Sequence, residues 1–330
     1  MRTEKRAAFD IGSGSTKIQC SIVQFENGDS FATIIETLMQ KEVPVSFGAD
    51  FMRSNDGILS RDIMNEGLAV LRSQMAEAQA NGFAVFCAIA TEVFRRAKNG
   101  SEYLDQVRHL GIKVELVNQI LEADLGFNSV VATGNLDPSS AMVWDSGGAS
   151  FQITSVDLST GSLRIYMGSL GTSISTAILV RDVQSRNLSE VESVNPVSSE
   201  DCSRFVDALV YRLDEAPCWL LGSQKITAAT GKNSLFKLCC DVLSVSATSP
   251  VTSFSLPDAR NALESCLGKT DGELRHLVSF SGADGPEVIV PKLALLVAVL
   301  LKTNIQQVDT VPVVGSCPGM LRSNIAGFWE

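Results

Sequence analysis

Two short stretches place a lone aspartate at the end of an apolar run and follow it with small residues. One is Ala8-Phe9-Asp10-Ile11-Gly12-Ser13-Gly14-Ser15-Thr16-Lys17-Ile18, the other Val143-Trp144-Asp145-Ser146-Gly147-Gly148-Ala149-Ser150-Phe151-Gln152-Ile153. They match position for position at an offset of 135 residues, Asp10 to Asp145. A carboxylate delivered by a buried strand is costly unless it is paired or binds a cation. Small residues let backbone N–H groups close on an anion. Taken singly, each stretch reads as the turn of a β-hairpin, a weak signal. Taken together and facing one another, the two turns would frame a cleft for a metal ion and a phosphate.

Other chemistry-bearing residues fall at the ends of predicted elements. The apolar run Phe83 to Ala90 reads as a strand buried on both faces and is followed at once by Arg95, Arg96 and Lys98. Open α/β sheets bind ligands at such strand ends, which makes Arg95 a candidate anion partner beside its alternative as a solvated helix residue. Glu122 lies early in a helix beginning near Gln119. There it is a dipole partner or, from a cleft-facing helix, a group able to align water on phosphorus. Gly168 and Gly171 suggest a further anion-facing turn, while Gly231-Lys232 lacks the rest of a P-loop and carries little weight.

The elements that must hold these residues follow from pattern. Strand, turn and strand are predicted over Arg6–Val23, with a further strand over Phe31–Leu38 and a connection over Val43–Val45, and a helix over Ser60–Gln79 stopped at Asn81-Gly82. A helix over Ser101–Leu110 and a strand over Val114–Val117 precede the Glu122 helix. The second hairpin, Ala141–Asp157, is extended by a strand over Ser162–Met167, a helix over Ser199–Leu213 and a strand over Lys225–Ala229. Val251–Leu277 reads as mixed, Pro286–Leu301 as a long buried helix, and Thr310–Val314 as the last strand. At 330 residues, two domains are expected, 1–135 and 136–330, with the final helix able to pack back on the first.

Composition narrows the partners. With 45% hydrophobic and 19% charged residues the chain can bury two cores. A net charge of −10 argues against a nucleic-acid-binding surface, although a local basic pocket remains compatible with it. The N-terminus lacks the apolar segment of a signal peptide, and Val288–Leu301 is short and interrupted by Pro291 and Lys292. A soluble, cytoplasmic protein with no membrane span is expected. Eight cysteines without CxxC spacing read as reduced core thiols, and His109 and His276 stand in no metal-binding arrangement.

In order and separation these motifs resemble the exopolyphosphatase and guanosine pentaphosphate phosphohydrolase family, of the actin, sugar kinase and heat-shock ATPase superfamily. Its D-x-G-S-N-S-x-R turn is similar to Asp10–Lys17, its A-T-S-A-x-R segment to Ala90–Arg95, and its E-E-A stretch to Leu121-Glu122-Ala123. Its D-I-G-G-G-S-x-E turn is similar to Asp145–Gln152, and its S-L-P-L-G segment to Met167–Gly171. The resemblance implies an α/β fold of two ribonuclease-H-like domains enclosing a cleft. It implies Mg²⁺ as cofactor, positioned by Asp10 and Asp145. Phosphate would be held by Gly12, Ser13, Gly14, Ser15 and Lys17, and by Gly147, Gly148, Ala149 and Ser150. Arg95, Glu122 and Gln152 fall at the catalytic positions, Arg95 neutralising the transferred phosphoryl group and Glu122 orienting water. The ligand implied is polyphosphate or guanosine pentaphosphate, and a homodimer is the assembly considered. Gln152 replaces the family glutamate, and an amide cannot accept a proton from water. That departure supports a second expectation, a weakened phosphoanion- or nucleotide-binding regulator. A third, a kinase or ATPase, draws on Val313-Val314-Gly315-Ser316-Cys317-Pro318-Gly319 as an adenosine-binding turn.

Overall fold

The computed structural model describes residues 1–26, 31–278, 285–323 and 328–329. The chain divides into two compact units, 1–136 with 313–330, and 137–312.

In the first unit, β1 (Arg2–Ile11), β2 (Ser15–Phe25) and β3 (Thr33–Pro44) form an antiparallel meander. β4 (Phe86–Ala90) and β5 (Lys113–Leu116) extend it in parallel from β1, giving the order β3-β2-β1-β4-β5. All five residues of β4 are buried, as expected of a strand covered on both faces. β3 runs on past the predicted strand end at Leu38 to Pro44, into the stretch expected as a connection. As an edge strand it pairs on one side only, so its polar stretch Gln40-Lys41-Glu42 continues the ladder opposite Gln19, Ile18 and Lys17.

The second unit repeats the plan. β6 (Met142–Ser146), β7 (Phe151–Val156) and β8 (Leu163–Gly168) form the meander, and β9 (Ile226–Thr230) runs parallel to β6. β10 (Ser253–Phe254) and β11 (Val308–Pro312) complete the order β10-β11-β9-β6-β7-β8. β11 is parallel to β9, so β6, β7, β8, β9 and β11 correspond to β1–β5. Each unit therefore has the ribonuclease-H-like strand order, the second with β10 added at its edge.

Helices start where side chains can cap them. Ser60 accepts from Ile63 N–H ahead of the helix Arg61–Ala80, and Asn118 accepts from Leu121 N–H ahead of Gln119–Gly134. The helix Leu235–Ser244, absent from the sequence expectation, begins at Ser234, whose hydroxyl accepts from Lys237 N–H. The apolar C-terminal stretch is the helix Ile289–Thr303, buried along nearly its whole length, and Lys292 within it donates to Asn233 O. Among the described residues no helix is long and apolar enough to cross a membrane. All eight cysteines are free. Seven are buried and Cys218 is exposed, so the core-thiol expectation fails for that one. Burial pushes the Cys20 and Cys87 thiols up to about 12, which keeps them protonated.

A buried arginine ties the C-terminal residues to β1. Arg6, 2% exposed, lies between the rings of Phe25 and Trp329, each centroid 4.6 Å from its guanidinium carbon. Its Nη1 donates to Leu321 O at 3.1 Å and Ser323 O at 2.9 Å. Arg6→Ala would orphan both carbonyls and remove two cation–π contacts, an expected loss of about 3 kcal/mol of stability measurable by urea denaturation. A change under about 0.5 kcal/mol would show that the tail is held otherwise.

Candidate functional site

In the first unit Asp10 is 6% exposed at the end of β1 and faces Lys17 across the hairpin. The Lys17 ammonium lies 4.0 Å from Oδ2, and the Ser316 N–H donates to the same oxygen at 2.9 Å. A cation and a backbone donor together offset the cost of burying this charge. The turn beyond it closes through Gly12 N–H to Ser15 O at 3.0 Å. The chain after β3 clamps it from outside, with Gly48 N–H on Ser13 O at 2.7 Å and Val45 N–H on Gly14 O at 3.2 Å. A Cβ on Gly14 would meet open space, so sterics do not require glycine there.

Arg95 and Glu122 come together in the same unit. Arg95 Nη1 donates to Val117 O, and its Nη1 and Nη2 reach Glu122 Oε2 at 3.3 and 3.4 Å. The Arg95 side chain is 24% exposed, which rules out the fully solvated alternative. Asp10 ends β1, Arg95 follows β4, and Val117 and Glu122 follow β5, strands that run parallel. These residues thus share the carboxyl end of the parallel strands, where such sheets bind ligands.

Glu92, on the short helix Glu92–Arg96, was not among the sequence candidates. Its carboxylate lies 3.3 Å from Arg96 and is 13% exposed. Burial raises its pKa above the ordinary carboxylate value, with Arg96 and Arg95 opposing the shift in part.

The second unit repeats the first hairpin in hydrogen-bond detail. Asp145 faces Gln152 as Asp10 faces Lys17, and Gly147 N–H donates to Ser150 O at 2.9 Å. Ser173 N–H donates to Gly148 O at 2.8 Å, the counterpart of Gly48 on Ser13. The offset of 135 therefore holds for the facing pairs, for the turn-closing bonds and for the clamped carbonyl. Gln152 is 2% exposed and its Nε2 donates to Ser150 Oγ at 3.3 Å, so the place held by a cation in the first hairpin is held by an amide in the second. Ser146 occupies the place of buried Ile11, and its hydroxyl has no partner among the described residues.

Gly168, the last residue of β8, and Gly171 are both tightly packed. A Cβ on Gly168 would come within 2.3 Å of the Phe151 ring, and one on Gly171 within 2.3 Å of Ala149 N. Both glycines let chain segments touch, Gly171 bringing the start of the helix Thr172–Ile178 against the second turn. Neither contact, nor the clamp by Gly48, carries a local signal, because each joins residues distant in sequence.

Residues 21–311 match the sequence model of the Ppx/GppA phosphatase family. The chain belongs to this family. No curated protein sequence matches it, but solved structures do. The Ppx/GppA enzyme of Aquifex aeolicus is 18% identical with a TM-score of 0.70, covering 97% of this chain and 99% of its own. An exopolyphosphatase from Cytophaga hutchinsonii is 16% identical with a TM-score of 0.72, at 96% of each chain. A nucleoside triphosphate hydrolase from Neospora caninum superposes at 10% identity and a TM-score of 0.55, covering 96% of this chain and 91% of that one. At these identities the superpositions establish the fold. It is the α/β, two-sheet, actin-like ATPase fold of Ppx/GppA proteins.

The raised pKa of Glu92 fixes a sign for this family member's stability. The folded state holds the proton more tightly than the unfolded chain, so the associated stability is full below the unfolded pKa and is lost as pH rises through the folded one. Glu92→Gln is expected to raise the melting temperature at pH 7 and to raise it less at pH 4. An equal shift at both pH values would mean that burial of the charge is not what Glu92 contributes.

Proposed function

We propose that this Ppx/GppA family member hydrolyses terminal phosphoanhydride bonds, as an exopolyphosphatase does, with inorganic polyphosphate or guanosine pentaphosphate as substrate. The observation that carries the reading is the duplicated turn. Each copy places one carboxylate next to last in a strand, closes through the same backbone hydrogen bond and is built of small residues, the kind that let N–H groups close on an anion. The N–H groups of Ser13 and Gly14, and of Gly148 and Ala149, are the proposed phosphate donors, with Lys17 as neighbouring cation. Membership of a phosphatase family supports the reaction class, and exopolyphosphatases of this fold support the substrate class.

Mg²⁺ is the proposed cofactor. This ion takes one or two carboxylates with substrate phosphates and water rather than an all-protein cage. The donor set suits it. Among the described residues no three His, Cys, Asp or Glu side chains gather, while Asp10 and Asp145 each stand at a strand end as the carboxylates available to it. When bound, the ion supplies neutralisation of the phosphoryl oxygens. Arg95 is proposed to meet the transferred group with N–H bonds not taken by Val117 O and Glu122. Glu122, held by Arg95, is the carboxylate proposed to orient the attacking water.

One observation favours a second reading. Gln152 lies buried opposite Asp145, and its amide offers no base. A chain that binds phosphoanions and turns them over slowly or not at all would act as a regulator. Phosphate release from long-chain polyphosphate and guanosine pentaphosphate, with and without Mg²⁺, separates the two; Mg²⁺-dependent release from the wild type is the outcome expected.

Asp145→Ala is expected to lower this release at least about 100-fold with the fold intact by circular dichroism; unchanged release would remove Asp145 from the site. Gln152→Glu, which restores a carboxylate, is expected to raise kcat about tenfold or more. Silent wild type beside an active Gln152→Glu variant would favour the regulator over the enzyme.

A further inference from the structure

The segment Val313–Gly319, which in sequence resembles an adenosine-binding turn, makes contacts of another kind. Gly315 sits at φ +53, and a Cβ there would lie 2.1 Å from Asp10 Oδ2 and 2.9 Å from Lys17 Cδ. The next residue, Ser316, donates its backbone N–H to that same Asp10 oxygen across 306 positions of sequence. Cys317 then reaches Ala8 O on β1 with its thiol, at 3.3 Å.

The helix that follows, Cys317–Arg322, is fixed as closely on its other side. Gly319 N–H donates to Ser129 Oγ at 2.8 Å, and a Cβ on Gly319 would fall 2.2 Å from Leu125 O. Leu125 and Ser129 belong to the helix Gln119–Gly134, which carries Glu122. Arg6 holds the far end of the segment through Leu321 O and Ser323 O. One short segment of the first unit thus touches both the Asp10 strand and the Glu122 helix, and at both contacts only a glycine fits.

We infer that Gly315 and Ser316 are positioning residues for Asp10: the absent side chain of Gly315 admits the carboxylate, and the Ser316 N–H fixes its Oδ2. The helix Cys317–Arg322 sets this turn in register with the helix of Glu122. The inference rests on the proposed role of Asp10 in phosphate and Mg²⁺ chemistry. It gives the Val313–Gly319 turn a role that does not need a nucleotide.

The test is a double-mutant cycle of Gly315→Ala and Asp10→Ala, read by melting temperature and by kcat and KM for phosphate release from tripolyphosphate with Mg²⁺. Gly315→Ala is expected to lower kcat about 100-fold, as misplacement of a reacting group by about 1 Å does. In the Asp10→Ala background it should cost no further activity. Its melting-temperature loss should also shrink there, because the nearest atom it collides with, Asp10 Oδ2, is gone while Lys17 Cδ remains. A folded Gly315→Ala variant with wild-type kcat, or losses in melting temperature and kcat that simply add, would overturn the inference. If Gly315→Ala fails to fold, an ester in place of the 315–316 amide, made by joining a synthetic segment, substitutes for it, since it deletes the Ser316 N–H and adds no atom beside Asp10. A tenfold or greater fall in kcat is expected for that variant, and an unchanged kcat would again overturn the role. Wild-type turnover by Asp10→Ala would sink the functional reading itself. That outcome is distinguishable, because the thermal coupling between Gly315 and Asp10 would persist through it.

Discussion

A carboxylate at the tip of a buried strand has to find its donors within a few ångströms, and the first unit is built around that requirement. Asp10 meets it with a lysine on the neighbouring strand and a backbone N–H from the C-terminal turn. Neither partner comes from β1 itself. The hairpin must therefore close in one register, and the segment beyond Pro312 must return to lie against β1. Arg6 and the Gly319 contact secure that return on two sides. The local demand of one charge is met by long-range packing, which in turn dictates where small residues are compulsory.

The second hairpin shows what changes when the same frame serves a different electrostatic purpose. Its register and closing bonds follow the first, but the residue facing the aspartate is a neutral amide and the residue after it is a hydroxyl rather than a buried isoleucine. A lysine beside a carboxylate balances it, whereas a glutamine leaves its charge uncompensated by that neighbour. The duplicated frame is thus asymmetric in charge.

The elements that were legible in the sequence were those with short-range causes. Alternation and the Asp-plus-glycine turn located both hairpins, and the stop at Asn81-Gly82 located a helix end, with Gly82 at φ +77. The equal spacing from Asp10 to Lys17 and from Asp145 to Gln152 is matched by equivalent facing pairs in the two hairpins. What escaped depended on partners far away in the chain. The contact of Gly171 with the Ala149 backbone is visible only in space, and so is that of Gly315 with Asp10. Short helices such as Glu92–Arg96 and Phe47–Arg53 span too few turns to show a period. Glu92 was passed over because its burial, not its spacing, distinguishes it.

Because the first unit takes its last residues from 313 onward while the second is a continuous stretch, their order of completion during synthesis is reversed. Strands β1–β5 are made before the second unit, but Asp10 lacks its Ser316 donor, and Arg6 its carbonyl partners, until residues 316–323 are made. The sheet of the first unit is encoded wholly within residues 2–116, yet the segment that lies against β1 is made only after the second unit. Domains usually fold in the order in which they are made. Here the first unit is whole only after residues 316–323 have followed the second.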